Sequence, residues 1–162
     1  MTYWTTAPSP LGNLLLTSNG SSLTGLWTPR PSGTFDVEPD WIENSKEQPF
    51  RAATEQLTAY FAGKLKRFEI PLEPAGTPFQ QRVWTELQRI PYGKTISYGE
   101  LANRIGNSKA SRAVGLANGS NPISIVIPCH RVIGSNGKLV GYGGGLDTKR
   151  RLLDFESRQL FW

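Results

Sequence analysis

The sequence predicts an α/β (α+β) fold in two parts: a small N-terminal antiparallel sheet plus a helix, then a mostly helical C-terminal part with a helix-turn-helix. Three observations carry this prediction. Short β-prone runs, separated by turn residues, fill the chain up to Trp27. Two helix-capping sequences open periodic apolar runs beyond Gly76. The charge also changes sign: residues 1–76 hold six Lys/Arg against eight Asp/Glu, a net of −2, whereas residues 77–162 hold twelve against five, a net of +7. The break falls in Glu73-Pro74-Ala75-Gly76-Thr77-Pro78, which has linker composition, so the expected domains are 1–76 and 77–162.

In the first part, Tyr3-Trp4-Thr5-Thr6 is β-prone, Pro8 to Gly12 reads as a turn, and Asn13 to Ser18 as a strand. Asn19-Gly20 is a hairpin signal and Leu23 to Trp27 its return strand. Pro29 to Pro49 is rich in Pro, Gly and acids, the composition of a loop. Phe50, Ala53, Leu57, Tyr60 and Phe61 recur at helical spacing, with Gly63 as a stop. Phe68 to Leu72 is expected to add a further strand. No chemistry is visible in this part.

The second part opens on Thr77-Pro78-Phe79-Gln80, with Thr at N-cap, Pro at the first helical position and Gln at N3. Phe79, Val83, Trp84 and Leu87 then line one face of a helix that ends before Pro91. A second capping sequence, Ser97-Tyr98-Gly99-Glu100, starts a short helix with Leu101, Ala102 and Ile105 inward. Gly106-Asn107 turns the chain, and Ser108 is the expected cap of a helix running to about Asn118. By spacing alone this pair is either an ordinary αα-hairpin or a helix-turn-helix. In the second helix, Lys109 to Gly119, small residues surround the long cation Arg112. Small residues allow close approach to another surface, and the basic charge suits a phosphate backbone. They are poor readers of base edges, so the contact expected is close and sequence-independent. Further on, Ile123 to Ile127 has the composition of a short buried strand, Gly134 to Gly137 of a turn, and Gly141 to Gly145 of a loop. Asp147 is the expected cap of a last helix.

Composition narrows the chemistry. With 162 residues, 38% hydrophobic and 19% charged, the chain has the balance of a globular protein rather than a disordered one. One cysteine forms no internal disulfide, and one Cys with one His makes no Cys/His zinc site. The longest apolar runs, Leu14-Leu15-Leu16 and Ile125-Val126-Ile127, are far too short to span a bilayer. No basic patch precedes an apolar stretch at the N-terminus, so the expected setting is soluble, reducing and cytoplasmic.

The rare residues are neighbours: Cys129 and His130 are followed by Arg131 and, downstream, by the glycine loop. A lone cysteine at a strand end is commonly a small buried hydrophobe. Acting instead as a nucleophile, it needs a base or positive surroundings, and His130 is the single imidazole available. Adjacent residues of an extended chain point to opposite sides, so a Cys129–His130 partnership requires a turn or a bridging water. A third group must orient the imidazole. Leu152, Leu153 and Glu156 share one helical face. Glu156 is therefore either a partly exposed residue at the stripe edge or a buried acid holding a partner, and it is the candidate for the orienting role.

Pro128-Cys129-His130-Arg131-Val132, preceded by Asn121-Pro122, resembles the active-site signature of the O6-alkylguanine-DNA alkyltransferases, the methylated-DNA–protein-cysteine methyltransferases. The resemblance extends to Phe79-Gln80-Gln81-Arg82-Val83-Trp84, Ile90-Pro91-Tyr92-Gly93, Ser97-Tyr98, Ser111 to Gly115 and the Gly141–Leu146 loop. It is weaker in the first part. It implies a winged-helix-like C-terminal domain that binds duplex DNA containing alkylated guanine, flips the damaged base and transfers its alkyl group irreversibly to Cys129. O4-alkylthymine is the implied second lesion. By the same resemblance His130 acts as base through a water, Glu156 orients it and Asn121 orders the turn before the nucleophile. Tyr98 assists protonation of the leaving guanine and rotation of its phosphate, and Arg112 fills the gap left by the flipped base. Arg112, Tyr98, Ala113, Gly115 and Thr95 are the implied DNA contacts, made through the minor groove. Val132, Tyr142 and Gly143 are the implied pocket for the guanine. The implied protein is a monomer needing no cofactor and no metal, used once because nothing here hydrolyses the thioether formed.

Two departures matter. Some members carry a serine in the loop after the tyrosine, where this chain has Gly143, which removes one donor and implies a roomier pocket. Some bind zinc in the N-terminal part, which here has neither Cys nor His. Two other readings stay open on the residues alone: a non-reacting DNA-binding or regulatory module, and a cysteine hydrolase using Cys129 and His130. The hydrolase is disfavoured because in such enzymes the base comes from elsewhere in the sequence.

Overall fold

Strand β1 (Tyr3–Ala7) shows the alternation of a half-buried strand, with Thr5 and Ala7 inward and Thr6 outward in the computed structural model, which describes residues 1–158. It pairs antiparallel with β2 (Leu14–Ser18), from Tyr3 opposite Ser18 to Ala7 opposite Leu14. All five residues of β2 are buried. β2 pairs antiparallel with β3 (Leu23–Trp27), with a register shift at Thr17/Ser18. Asn19 forms the turn between them as an Asx cap, its Oδ1 accepting from the N–H groups of Ser21 and Ser22. Gly25 in β3 admits no side chain, because a Cβ there would lie 2.1 Å from the Trp27 ring.

The Pro29–Pro49 stretch, expected as loop, contributes one short strand. β4 (Ile42–Glu43) pairs parallel with Tyr3 and Trp4, giving the sheet order β3-β2-β1-β4. Two exposed residues carry no periodic signal, which is why composition did not reveal them. Helix α1 (Phe50–Phe61) has the predicted bounds and buries the five predicted residues. The strand expected at Phe68 to Leu72 does not form. Leu23 donates to Pro71 O and Leu23 O accepts from Glu73, leaving a single bridge between Leu23 and Leu72. Pro71 has no N–H for a ladder, and Gln56 occupies the backbone of Glu69 from the side.

The chain forms two compact units, Met1–Ala75 and Gly76–Trp162. In the second, α2 (Pro78–Leu87) begins with both halves of the capping box: Thr77 Oγ1 accepts from Gln80 N, and Gln80 Oε1 accepts from Thr77 N. Val83, Trp84 and Leu87 are buried as predicted, while Phe79 is half-buried. The Trp84 indole donates to Ala117 O at 2.8 Å, tying α2 to α4 (Ser111–Gly119). Helix α3 (Tyr98–Arg104) is capped by Ser97, but only one half of its box forms, because Glu100 pairs with Arg104 instead of turning back. β5 (Ile96–Ser97) and β6 (Val132–Ile133) make a short parallel pair. Helix α5 (Leu146–Arg158) packs on the turn that carries Cys129.

Two predicted boundaries move, and one predicted strand does not form. α4 starts at Ser111, not after a Ser108 cap; Asn107 bonds Lys109 N through its side chain and Ala110 N through its carbonyl, which uses residues 107–110 as turn. Asp147 lies inside the first turn of α5, where its charge favours the helix dipole, instead of capping it. Ile123 to Ile127 is buried as expected but is not a strand. It folds into tight turns, with Ile125 at φ +73°, because Asn121 satisfies its backbone internally. Among the described residues no helix is long and apolar enough to cross a membrane.

The capping box gives a direct measure of how strongly α2 is fixed. Thr77→Ala is expected to cost about 1 kcal/mol of unfolding free energy in urea, and Thr77→Ser to retain the wild-type midpoint. Equal stability of the alanine variant would show that the box contributes nothing.

Candidate active site and DNA-facing helix

The nucleophile candidate is positioned by a chain of backbone constraints. Asn121 Nδ2 donates to Ile127 O at 2.8 Å and to Ile123 O at 3.4 Å, while its Oδ1 accepts from Ile123 N at 3.0 Å. One buried side chain thus replaces the sheet partners that this apolar segment lacks. The chain leaves these turns at Pro128 and enters a 3₁₀ turn, Cys129–Arg131. Asn118 on α4 holds its start, donating to Cys129 O at 3.3 Å.

A turn at this point decides the geometry of the Cys-His-Arg triplet. All three residues are buried, and His130 and Arg131 converge on one carboxylate. Glu156 Oε2 lies 2.8 Å from His130 Nε2. Arg131 grips the same carboxylate at both ends, Nε to Oε1 at 2.8 Å and Nη2 to Oε2 at 2.9 Å, and Nη1 donates to Ile90 O at 2.7 Å. Burial on its own would raise the Glu156 carboxyl, but His130 and Arg131 outweigh it and hold it well below the usual carboxylate range. Glu156 is therefore ionised and accepts only, so His130 Nε2 carries the proton. The neutral imidazole then has its lone pair on Nδ1, a buried atom with no hydrogen-bond partner among the described residues.

The Cys129 thiol is a poor acid in this setting. Burial pushes it up, and the Asn121 side chain and the Lys149 charge pull in the opposite direction. No hydrogen bond joins the thiol directly to the imidazole among the described residues.

Lys149 is fully buried, although sequence reasoning gave it no role. Its ammonium donates to Val132 O at 2.6 Å and Val140 O at 3.0 Å, and it lies 5.9 Å from the Tyr98 ring centroid. The Tyr98 hydroxyl donates to the same Val140 O at 2.9 Å. Burial raises the Tyr98 phenol, with the Asn118 side chain opposing. Lys149, Val132 and Tyr98 thus fix where the 140–145 loop leaves the core. Cys129 O accepts both from Asn118 Nδ2 and from Val132 N, whereas Val132 O accepts from the Lys149 ammonium. In the loop, the half-buried Tyr142 has its phenol pushed well above the ordinary value by burial. A Cβ on Gly143 would meet nothing within 4 Å.

Cys129, His130, Glu156, Asn121, Val132 and Tyr98 therefore share one neighbourhood. The expected DNA contacts sit differently. Arg112 and Ala113 are exposed on α4, and Thr95 is exposed ahead of β5. Gly115 faces Tyr98, where a Cβ would touch the ring at 3.8 Å.

Sequence reasoning missed two residues of the cluster. Arg131 stood out beside the Cys-His pair without a role, and its partner emerged only in three dimensions. Lys149 lies three residues before Leu152 and seven before Glu156, on the same helical stripe. A second ionisable residue on that apolar face was the available signal.

Known proteins resemble this chain in sequence and fold. Residues 78–158 match the DNA-binding domain of 6-O-methylguanine DNA methyltransferase, and residues 2–74 match the ribonuclease-like domain of the same proteins. The chain is 52% identical over 154 residues to a methylated-DNA–protein-cysteine methyltransferase of Methanosarcina acetivorans, covering 95% of this chain and 97% of the relative. It is 54% identical over 162 residues to that of Mycolicibacterium paratuberculosis, covering 98% and 94%. The crystal structure of Mycobacterium tuberculosis OGT in complex with DNA superposes with a TM-score of 0.89 at 49% identity, covering 98% of this chain and 95% of that one. On this evidence of sequence, fold and full-length coverage, the chain belongs to the 6-O-methylguanine DNA methyltransferase family.

Proposed function

We propose that this protein repairs alkylated duplex DNA by direct reversal, transferring the alkyl group of O6-alkylguanine, and of O4-alkylthymine, to Cys129 in a single irreversible event. The observation that carries this reading is the buried His130–Glu156 pair, in which Glu156 fixes the tautomer and leaves Nδ1 of the residue next to Cys129 without a partner. A free, reactive thiol of this kind fits a cytoplasmic setting, and a monomer suffices because every residue invoked belongs to one chain.

The reaction begins with removal of the Cys129 proton to His130 Nδ1 through an intervening water. The thiol's raised pKa makes this relay necessary, and the Lys149 charge favours the thiolate. The imidazolium forms against the Glu156 carboxylate, which is already ionised and needs no rearrangement. The sulfur lone pair attacks the alkyl carbon, an S–C bond forms, the C–O6 bond breaks, and its electron pair stays on guanine. Tyr98 supplies the proton that neutralises the departing base, and the proton held on His130 returns through solvent to the tyrosinate, so thiol and alkylguanine become thioether and guanine. Backbone groups near Cys129 and Val132 and the Tyr142–Gly143 loop hold the guanine edge, and Asn121 holds the turn that aims the sulfur. The flipped base leaves a gap that Arg112 fills from the exposed side of α4. The product is a thioether that no residue here hydrolyses.

Incubation with a duplex containing O6-methylguanine is expected to add one methyl group to the intact protein. The gain, read by mass spectrometry, should be absent in Cys129→Ala. Unmodified protein that still binds DNA would favour a non-reacting damage-binding or regulatory module instead. Arg112→Ala is expected to slow repair of duplex DNA about tenfold or more while leaving reaction with free O6-benzylguanine near wild type. Equal losses on both substrates would remove the base-replacing role.

Glu156 yields a stability test with a definite sign. Its folded carboxyl titrates below its unfolded value near 4.3, so its contribution is complete above that pH. The contribution is lost as pH falls through the folded value. Glu156→Gln leaves Arg131 buried without a counter-charge and is expected to cost about 3–5 kcal/mol at pH 7. Its stability should also fall less steeply than wild type between about pH 5 and 2. Parallel acid limbs in urea titrations would show that the carboxylate is not held ionised by this network.

A further inference from the structure

Among the described residues, Leu116 is the most exposed large apolar side chain of the second unit, at 70%. A solitary surface leucine carries no information by itself. Its setting does. It lies one turn after Arg112 on α4, about 6 Å further along the axis. Its neighbours on the helix surface at three and four residues' spacing are Arg112, Ala113, Gly119 and Ser120, all exposed. Three of these four are small, and a Cβ on Gly119 would have nothing within 4 Å. Leu116 therefore stands above a low, nearly bare backbone surface, beside one long cation. The residues that pack α4 onto the core, Val114, Ala117 and Asn118, lie on its other side, so the fold makes no use of the Leu116 side chain.

We propose that Leu116 is a DNA-contacting wedge, inserted into the minor groove of the duplex next to the site that Arg112 occupies. The proposal rests on the alkyl-transfer reading above and adds a residue to it. The occupant follows from charge and shape. Arg112 on the same face attracts the phosphate-lined groove, and the small residues let the helix backbone approach its floor. An isobutyl group has no hydrogen-bonding atom, so it reads no base. It packs against deoxyribose and base edges of any sequence and props the groove open where the damaged nucleotide swings out. Arg112 replaces the lost base and Leu116 excludes water from the adjoining sugar wall.

The test compares Leu116→Ala, Leu116→Ser and Leu116→Met with wild type in single-turnover repair of an O6-methylguanine duplex and in reaction with free O6-benzylguanine. The alanine and serine variants are expected to repair the duplex about five- to tenfold more slowly. They should react with the free base at the wild-type rate and melt at the wild-type temperature. Methionine should restore duplex repair. The salt dependence of duplex binding should stay that of wild type, since no phosphate contact is lost, whereas Arg112→Ala should reduce the slope by about one. Duplex repair by Leu116→Ala within twofold of wild type overturns the wedge, and so does an equal loss on free base. A wild-type protein that associates without DNA in sedimentation, and no longer does so as Leu116→Ala, assigns the side chain to a second copy and also overturns it. Wild-type protein that gains no alkyl mass on Cys129 defeats the alkyl-transfer reading itself, a result separable from a wild type that reacts beside variants that match it.

Discussion

The second unit is organised around a single buried carboxylate. Glu156 accepts three hydrogen bonds from two cationic or polarisable partners, His130 and Arg131, that are adjacent in sequence and 25 or more residues away from it. Removing such a carboxylate from water costs several kcal/mol, which only a full set of partners offsets. Arg131 supplies most of that set through a two-pronged contact and carries its remaining reach to Ile90 O. The imidazole shares that carboxylate through Nε2 and keeps Nδ1 for the base role proposed for it. Loss of Glu156 leaves Arg131 buried without a counter-charge, so structural integrity and the proposed proton relay depend on one carboxylate.

Everything that aims the sulfur is subordinate to that arrangement. His130 and Arg131 reach one carboxylate because Cys129–Arg131 is a 3₁₀ turn rather than an extended strand. That turn needs a preceding segment that ends its own hydrogen bonding early, and Asn121 provides it by occupying the backbone of Ile123 and Ile127. Lys149 performs the matching task on the other side, drawing Val132 O and Val140 O to one ammonium. Two polar side chains, both buried and both bonded to carbonyls, replace a regular sheet at the place where a substrate must approach backbone groups closely.

Helix α4 has two faces with opposite demands. Val114, Ala117 and Asn118 face the core, and Asn118 touches the reactive turn itself through Cys129 O. Arg112, Ala113 and Leu116 face outward. The small side chains between them keep the helix thin, so the outward face and the nucleophile are separated by little more than one helix. This thinness is the physical reason the DNA contact and the alkyl transfer proposed above can belong to one act of recognition.

By itself the sequence determined the local structure wherever one residue's chemistry dictates the backbone. Thr77-Pro78 with Gln80, the α1 stripe from Phe50 to Phe61, and Asn19 at its turn all formed as their side chains require, because capping and amphipathic burial act within a few residues. The rare Cys-His pair and the acid on the Leu152–Glu156 stripe also marked residues that the fold brings together. The tertiary structure alone decided what depends on partners distant in the chain. Ile123 to Ile127 reads as a strand, yet no neighbouring strand is there to take its hydrogen bonds, and Asn121 does so instead. β4 exists only because Tyr3 and Trp4 offer an edge. Nothing local marks Arg131 or Lys149 as buried; the fold surrounds them with carboxylate and carbonyl oxygens. Burial of a charge is settled by what the rest of the chain places around it, and no local pattern encodes that.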